Sequence, residues 1–343
     1  MEPVSGRDEN GVLRRPTIKD VATVAGVSRG TVSRVLNGGR WVSPEALQAV
    51  TEAIQRTGYR PNNHARSLAT GRSNSVAFLL TEPHHMLFEQ PIFSILLRGA
   101  TEALAELGMP LLLMVAGDAE ERRRIVDYVS AGHVDGVLVV SSRASSPVVR
   151  ALLTRRIPTV ACGAPLGFEG RMGYVEADEL GGAQSIVRHL LDRGRRRIAT
   201  ITGPLDTPGG VKRLEGYRSA LGDRFDASLV AHGDYTREGG RRAMEELLER
   251  VPDLDAVFAA SDLMAAGALA GLRARGRRVP SDVAVGGFDD SGLAASLQPP
   301  LTTVRQPLDR IAHEVVHLLL DIIDGGAPAA ITLPTTLVER SST

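Results

Sequence analysis

Arg29, Thr31, Ser33 and Arg34 fall within six residues, and their chemistry is that of a surface that reads polar edges. An arginine guanidinium is a planar fork of donors that fits guanine O6 and N7 in a DNA major groove, while serine and threonine hydroxyls can reach bases or phosphates. Gly30, between them, leaves one base edge without a side-chain contact. A second polar set lies far along the chain, each member placed where a short apolar run ends. Ser141 and Ser142 follow GVLVV, Asp178 stands in VEADE, Ser261 and Asp262 follow AVFAA, and Asp289 and Asp290 close GGFDD. Arg213, in RLEGY, adds a donor fork suited to sugar hydroxyls.

The first set needs a small helical scaffold, and Thr17–Asn37, TIKDVATVAGVSRGTVSRVLN, supplies it. Thr17 with Asp20 three residues on can cap a helix whose Val21, Val24 and Ala25 share one face. Gly26 provides a turn, and Ser28 opens a second helix with Val32, Val35 and Leu36 turned inward. Ser43-Pro44-Glu45 starts a third helix that Gly58 stops. Helix, turn and helix on a three-helix core make a DNA reader.

The second set needs strand ends converging on a cleft. From Ser75 onward, runs such as SVAFLL, LLLMVA, GVLVVS and TVACG alternate with helical patterns at about 92–107, 120–131, 147–155 and 179–193, which predicts a parallel α/β lobe. RIATITG, AVFAAS and VAVGGF, with helices at about 238–250 and 263–275, repeat the theme in a second lobe. The return to the first lobe is read at Thr302–Val304 and a helix at about 308–324, with a last strand near Leu333–Val338 recrossing to the second. The lobes are drawn at about 75–192 with 305–332, and 193–304 with 333–343. Paired lobes of this kind hold a small ligand between the carboxyl ends of their strands.

Charge separates the two parts. Residues 1–73 carry eleven Arg or Lys against six Asp or Glu, a net of +5, whereas the whole chain has 40 of each. A basic head on an acidic body presents one end to phosphates. Of the basic residues only Lys19 and Lys212 are lysine, a bias that genome composition explains. No segment approaches the ~20 apolar residues that cross a bilayer, and MEPVSGRDENGVLRR lacks the apolar run of a signal peptide, so a cytoplasmic protein is expected, with residues 1–15 a disordered arm. Cys162 cannot pair within the chain and reads as a buried strand thiol. No GxxxxGK[ST] phosphate loop and no His/Cys cluster at metal spacing is present. No catalytic residue, metal or cofactor is therefore expected.

TIKDVA, AGVS, TVSRVLN and YRPN occur in order between Thr17 and Gly71, and the chain thereby resembles the lactose-repressor (LacI/GalR) family of bacterial transcription regulators. The resemblance implies a helix-turn-helix domain at 16–59, a hinge helix and linker at 60–74, and a two-lobe periplasmic-binding-protein-like core at 75–343. It implies contacts to operator DNA from Thr17, Ser28, Arg29, Gly30, Thr31, Ser33, Arg34, Asn37, Trp41, Tyr59, Asn62, Ala65 and Leu68. Leu68 would be a minor-groove wedge at a central pyrimidine–purine step, read as CG, on a helix over 61–70 that orders only on DNA. Trp41 either packs under the third helix or donates to a phosphate. Effector contacts are implied at Asp178, Arg213, Ser261, Asp289, Tyr235 and Gln306, with Ser261 standing where Asn is frequent; Phe88 and Phe93 offer rings for a sugar face. A homodimer on a palindrome is expected. SRGTVSRVLNGGRWVS, Ser28–Ser43, is most similar to regulators of cellobiose and cello-oligosaccharide use. Another oligosaccharide, a nucleobase, and co-repression in place of release remain open.

Overall fold

The computed structural model describes residues 16–36, 42–59 and 72–343 of the 343. Asn37, Trp41, Asn62, Ala65 and Leu68, the arm at 1–15 and most of the hinge segment lie outside the described residues. The chain divides into two compact units, 1–73 and 74–343.

In the first unit, α1 (Ile18–Ala25), α2 (Arg29–Leu36) and α3 (Pro44–Thr57) close around Val21, Ala22, Val32, Val50 and Ala53. The Asp20 carboxylate accepts from the Thr17 backbone N–H and hydroxyl, both at 2.7 Å, and fixes the start of α1. Gly26 ends it at φ +67°, in the left-handed region where a Cβ is penalised. Ser43 accepts from the Ala46 N–H to open α3, which Gly58 closes at φ +65°. Val24, expected inside, is 37% exposed, and Ala22 takes the core position. Ile18, Val21, Ala22 and Ala25 form the inner stripe at i, i+3, i+4 and i+7, and Val24 falls just outside it.

The second unit holds two sheets, each of six strands among the described residues. In the first, β1 (Val76–Leu80), β2 (Leu111–Val115), β3 (Gly136–Val140), β4 (Thr159–Cys162), β5 (Gly173–Ala177) and β11 (Ala330–Leu333) lie in the order 11-5-4-3-1-2, all parallel. The fully buried VAFLL and GVLVV strands read as continuous apolar runs because both faces are covered. α5 (Pro91–Ala105) and α13 (Leu308–Ile323) cover one face; α6 (Ala119–Tyr128) and α7 (Pro147–Thr154) cover the other. In the second sheet, β6 (Ile198–Thr202), β7 (Val230–His232), β8 (Ala256–Ala259), β9 (Ala284–Asp289), β10 (Thr302–Arg305) and β12 (Thr336–Val338) take the order 12-10-9-8-6-7, with only β12 antiparallel. α8 (Glu179–Asp192) and α9 (Pro208–Leu221) cover one face, α10 (Arg237–Arg250) and α11 (Asp262–Ala274) the other.

Three details correct the sequence reading of the lobes. α8 packs its Ala183, Ile186, Val187 and Leu190 with Tyr217, Phe258 and Phe288 of the second lobe, so the chain crosses at Asp178 and not near 192. Thr302–Arg305 is β10, paired with β9 and β12, so it belongs to the second lobe, as the 304/305 boundary has it, and is not part of the return to the first. The expected single strand at Leu333–Val338 is two, β11 in the first sheet and β12 in the second, with the final crossing between them. Periodicity marks that an element is apolar on one side, and it carries no label for which sheet that side meets.

Candidate functional site: an effector cleft and a DNA-reading helix

On α2, Ser28, Arg29, Gly30 and Arg34 are exposed, and Thr31 and Ser33 are half-buried beside buried Val32. Ser28 Oγ accepts from the Thr31 N–H at 3.1 Å and caps the helix, with the Thr31 hydroxyl 3.0 Å away. Gly26–Gly30 spells G-x-S-x-G, but it joins two helices with no strand before it, and its serine is a cap, not a nucleophile. α2 therefore leaves two guanidinium groups and a glycine exposed to solvent. Tyr59 packs against the three-helix core, and Thr17 is tied to Asp20.

In the second unit, a cavity with about 1020 Å³ of space, its open mouth included, lies between the sheets at the carboxyl ends of their strands. Its walls differ. Met86, Ile92, Phe93, Leu96, Val140, Val175, Leu308 and Ile311 form an apolar side, all from elements of the first lobe or the start of α13. Glu179, Arg213, Asp234, Tyr235, Ser261, Asp289 and Gln306 form a polar side around the second lobe, and Glu82, Gln90, Ser141, Ser142, Arg143 and Glu176 add polar groups from the first lobe beside its apolar patch. Of the expected effector residues, Phe93, Ser141, Arg213, Tyr235, Ser261, Asp289 and Gln306 are brought together here. Two are not. Phe88, on the short α4 (Met86–Glu89), is 86% exposed and outside the lining. Asp178 accepts from the Gly181 N–H at 2.9 Å and caps α8, while the next residue, Glu179, enters the cavity. Ser261 caps α11 through the Met264 N–H at 3.2 Å, so its oxygen is engaged in its own helix.

Arg213 is the centre of the polar wall. Its Nε donates to Glu179 at 2.5 Å, its Nη1 donates to the Ala260 carbonyl and lies 3.4 Å from Asp289, and its guanidinium stacks 3.8 Å above Phe288. Burial disfavours the charge, but Glu179 and Asp289 outweigh it and hold the pKa above the usual arginine range. Gln306 Nε2 donates to Asp289 Oδ1 at 2.7 Å. Burial pushes Asp289 up to about 6, against the opposing pull of Arg213 and Gln306. Asp262 beneath is buried and lies near Asp289, which together hold it well above the carboxylate range; it accepts from the Thr303 hydroxyl and the Asp290 N–H and organises the loop. Asp290 in turn accepts from Arg305 and Arg340 and takes no place in the lining.

Ser141, Tyr235 and Asp289 also share a backbone peculiarity: φ is +59°, +65° and +119° at these non-glycine residues. Such conformations cost on the order of 1–3 kcal/mol and persist where surrounding structure dictates them, commonly at ligand clamps. Sequence reasoning missed Glu82, Gln90, Arg143, Glu176 and Glu179. Glu82 was within reach of the same logic, since it stands two residues after β1; its carboxylate accepts from Ser141 Oγ at 2.8 Å and from Arg143 at 3.2 Å. Gln90 and Arg143 sit on loops, Glu179 opens α8 at a lobe crossing, and Glu176 is a charged residue inside strand β5; periodicity marks none of these. The lobes also touch: Gln90 Nε2 donates to the Tyr235 carbonyl, and Arg143 Nη1 meets both Asp206 oxygens at 3.0 Å. Among the described residues no cluster of His, Cys, Asp and Glu could hold a metal ion. Cys162 lines the cavity, and the packing around it pushes its thiol up to about 12.

Both units resemble known proteins. Residues 17–62 match the model of bacterial regulatory proteins of the lacI family, and residues 187–343 match a periplasmic binding protein-like domain. The chain is 46% identical over 335 residues to the HTH-type transcriptional regulator CelR of Thermobifida fusca, covering 96% of this chain and 98% of that one. It is 36% identical over 311 residues to the ribose operon repressor of Escherichia coli K12, covering 89% and 92%. Among solved structures it is similar to a CelR–cellobiose complex, with 44% identity and a TM-score of 0.77 over 96% of this chain and all of the other. It is also similar to a lac repressor dimer bound to operator and an anti-inducer, with 25% identity and a TM-score of 0.84 over 96% and 99%. With a DNA-reading helix pair joined to a two-lobe cleft, and these likenesses along nearly its whole length, the chain belongs to the lacI family of bacterial regulatory proteins, the DNA-binding transcriptional regulators.

Proposed function

We propose that this protein is a cytoplasmic repressor that binds a palindromic operator as a homodimer and is released from it by a β-linked glucose oligosaccharide, cellobiose first among them. The observation that carries the ligand class is the two-sided cavity. A pyranose has apolar C–H faces and a rim of hydroxyls, and so needs an apolar wall with ionic hydrogen-bonding groups opposite. Phe93 offers a face for stacking; Arg213, Asp289 and Gln306 offer donors and acceptors to the rim; Ser141 and Tyr235 complete the set. Ser261, which caps α11, lies in the lining with its hydroxyl proton available to a ligand oxygen. The choice of cellobiose follows the likeness to CelR, one of whose structures holds it. At the DNA, Arg29 and Arg34 read guanines from α2, with Ser28, Thr31 and Ser33 beside them. Leu68 enters the minor groove, and Asn37, Trp41, Asn62 and Ala65 are further DNA contacts, as are Thr17 and Tyr59 of the head.

Calorimetry of the full chain against cellobiose, maltose, lactose, ribose and guanine tests the ligand. Cellobiose is expected to bind with the highest affinity. Tighter binding of guanine or ribose would replace the proposed effector.

A further inference from the structure

Of the chain's 40 basic residues, Lys212 is one of two lysines, and neither the DNA surface nor the sugar contacts proposed above use it. Its Nζ donates to Glu176 Oε1 at 2.7 Å and Oε2 at 2.6 Å. The partners belong to different lobes: Glu176 lies on β5 of the first sheet, and Lys212 lies on α9, packed on the second. The Glu176 side chain is 6% exposed and lines the cavity; Lys212, outside the lining, is 31% exposed. A second interlobe ion pair, Arg143–Asp206, joins side chains that are 45% and 49% exposed, and pairs so wetted contribute little. The Glu176 carboxylate is in a different position. Closed in without a counter-charge it would be strongly disfavoured, whereas in an open cleft water would solvate it. The ammonium is thus needed only when the lobes are together, and its contact is lost as soon as they part.

We propose that Glu176 and Lys212 form a latch that sets how readily the cleft closes, and with it the sugar concentration to which the repressor responds. The second half of this inference rests on the sugar reading of the cavity; the latch itself does not. Both are positioning residues. They bias a two-state equilibrium that ligand must otherwise shift by its own differential affinity.

Hydrogen exchange on the full chain without sugar tests the latch. Lys212→Met and Glu176→Gln are each expected to speed exchange at β5 and the first turn of α9 about tenfold, within the ordinary range of coupling between sites. The double variant should exchange no faster than either single one, because one interaction has been removed twice. Calorimetry with cellobiose should show Lys212→Met binding about tenfold more weakly, although Lys212 is outside the cavity lining. Unchanged exchange in Lys212→Met, or effects of the two substitutions that multiply in the double variant, would overturn the latch. Because Glu176 lies in a sheet, Lys212→Met decides the matter if Glu176→Gln folds poorly. Wild-type chain that ignores cellobiose, with exchange altered as described, would remove the sugar and leave the latch standing.

Discussion

Asp289 gathers the site's chemistry in one residue. It holds φ at +119°, takes a hydrogen bond from Gln306, faces Arg213, and is raised by burial to about 6. The sign of the pH effect follows. Above that value the carboxylate is ionised and able to accept from a sugar hydroxyl; below it the acid is protonated and an acceptor is lost. Sugar affinity is therefore expected to be flat above about pH 7 and to fall about tenfold per unit below 6. Asp289→Asn should bind weakly and without that slope, which calorimetry between pH 5 and 8 would register; a slope retained in the variant would place the titrating group elsewhere. At the other site, Arg34→Ala should relax preference at one position per half-site by about 1–3 kcal/mol, read by competition among operator variants. Uniform weakening across sequences would make Arg34 a phosphate contact. Polar residues after strands were legible as a set, because a strand end at a cleft requires them. Which member points inward was not: Asp178 and Glu179 are neighbours, and only the helix cap on Asp178 decides that Glu179 faces the cavity.

Elements bring those residues together through close approaches that only glycine permits. A Cβ on Gly216 of α9 would lie 2.5 Å from the Leu180 carbonyl and 2.7 Å from Ala183 Cβ, both on α8. That approach sets Arg213 against Glu179. Gly216→Val is expected to push the helices apart, cost about 1–3 kcal/mol of core stability, and weaken sugar binding more than it lowers the melting temperature would suggest. Chemical denaturation alongside calorimetry separates the two effects; full sugar affinity in a destabilised variant would detach the site from this packing. The capping signals of the head were plain in sequence, since Thr17, Ser28, Ser43, Gly26 and Gly58 act locally and each does what its position requires. β7 was not anticipated, and β11 was merged with β12 into one expected strand; β7 and β11 are edge strands of three and four residues, too short to establish a period.

At the scale of the whole molecule, the two-lobe architecture was readable because alternating apolar runs and helices leave few other folds. The crossings were not, because a chain that passes three times between lobes carries the same local pattern on either side of each passage. The same scale holds the central claim, that a sugar in the cleft governs DNA binding by a separate unit. Trp41, the chain's single tryptophan, lies in that head segment, so operator is expected to change its emission strongly and cellobiose alone to change it little. The most direct measurement is an operator titration by fluorescence anisotropy at fixed salt, with cellobiose added to the preformed complex. Operator should dissociate as cellobiose rises, with the midpoint displaced to much higher sugar in Asp289→Ala while sugar-free operator affinity is kept. A complex that cellobiose leaves intact, or that it releases equally in Asp289→Ala, would contradict control of the operator through this cleft.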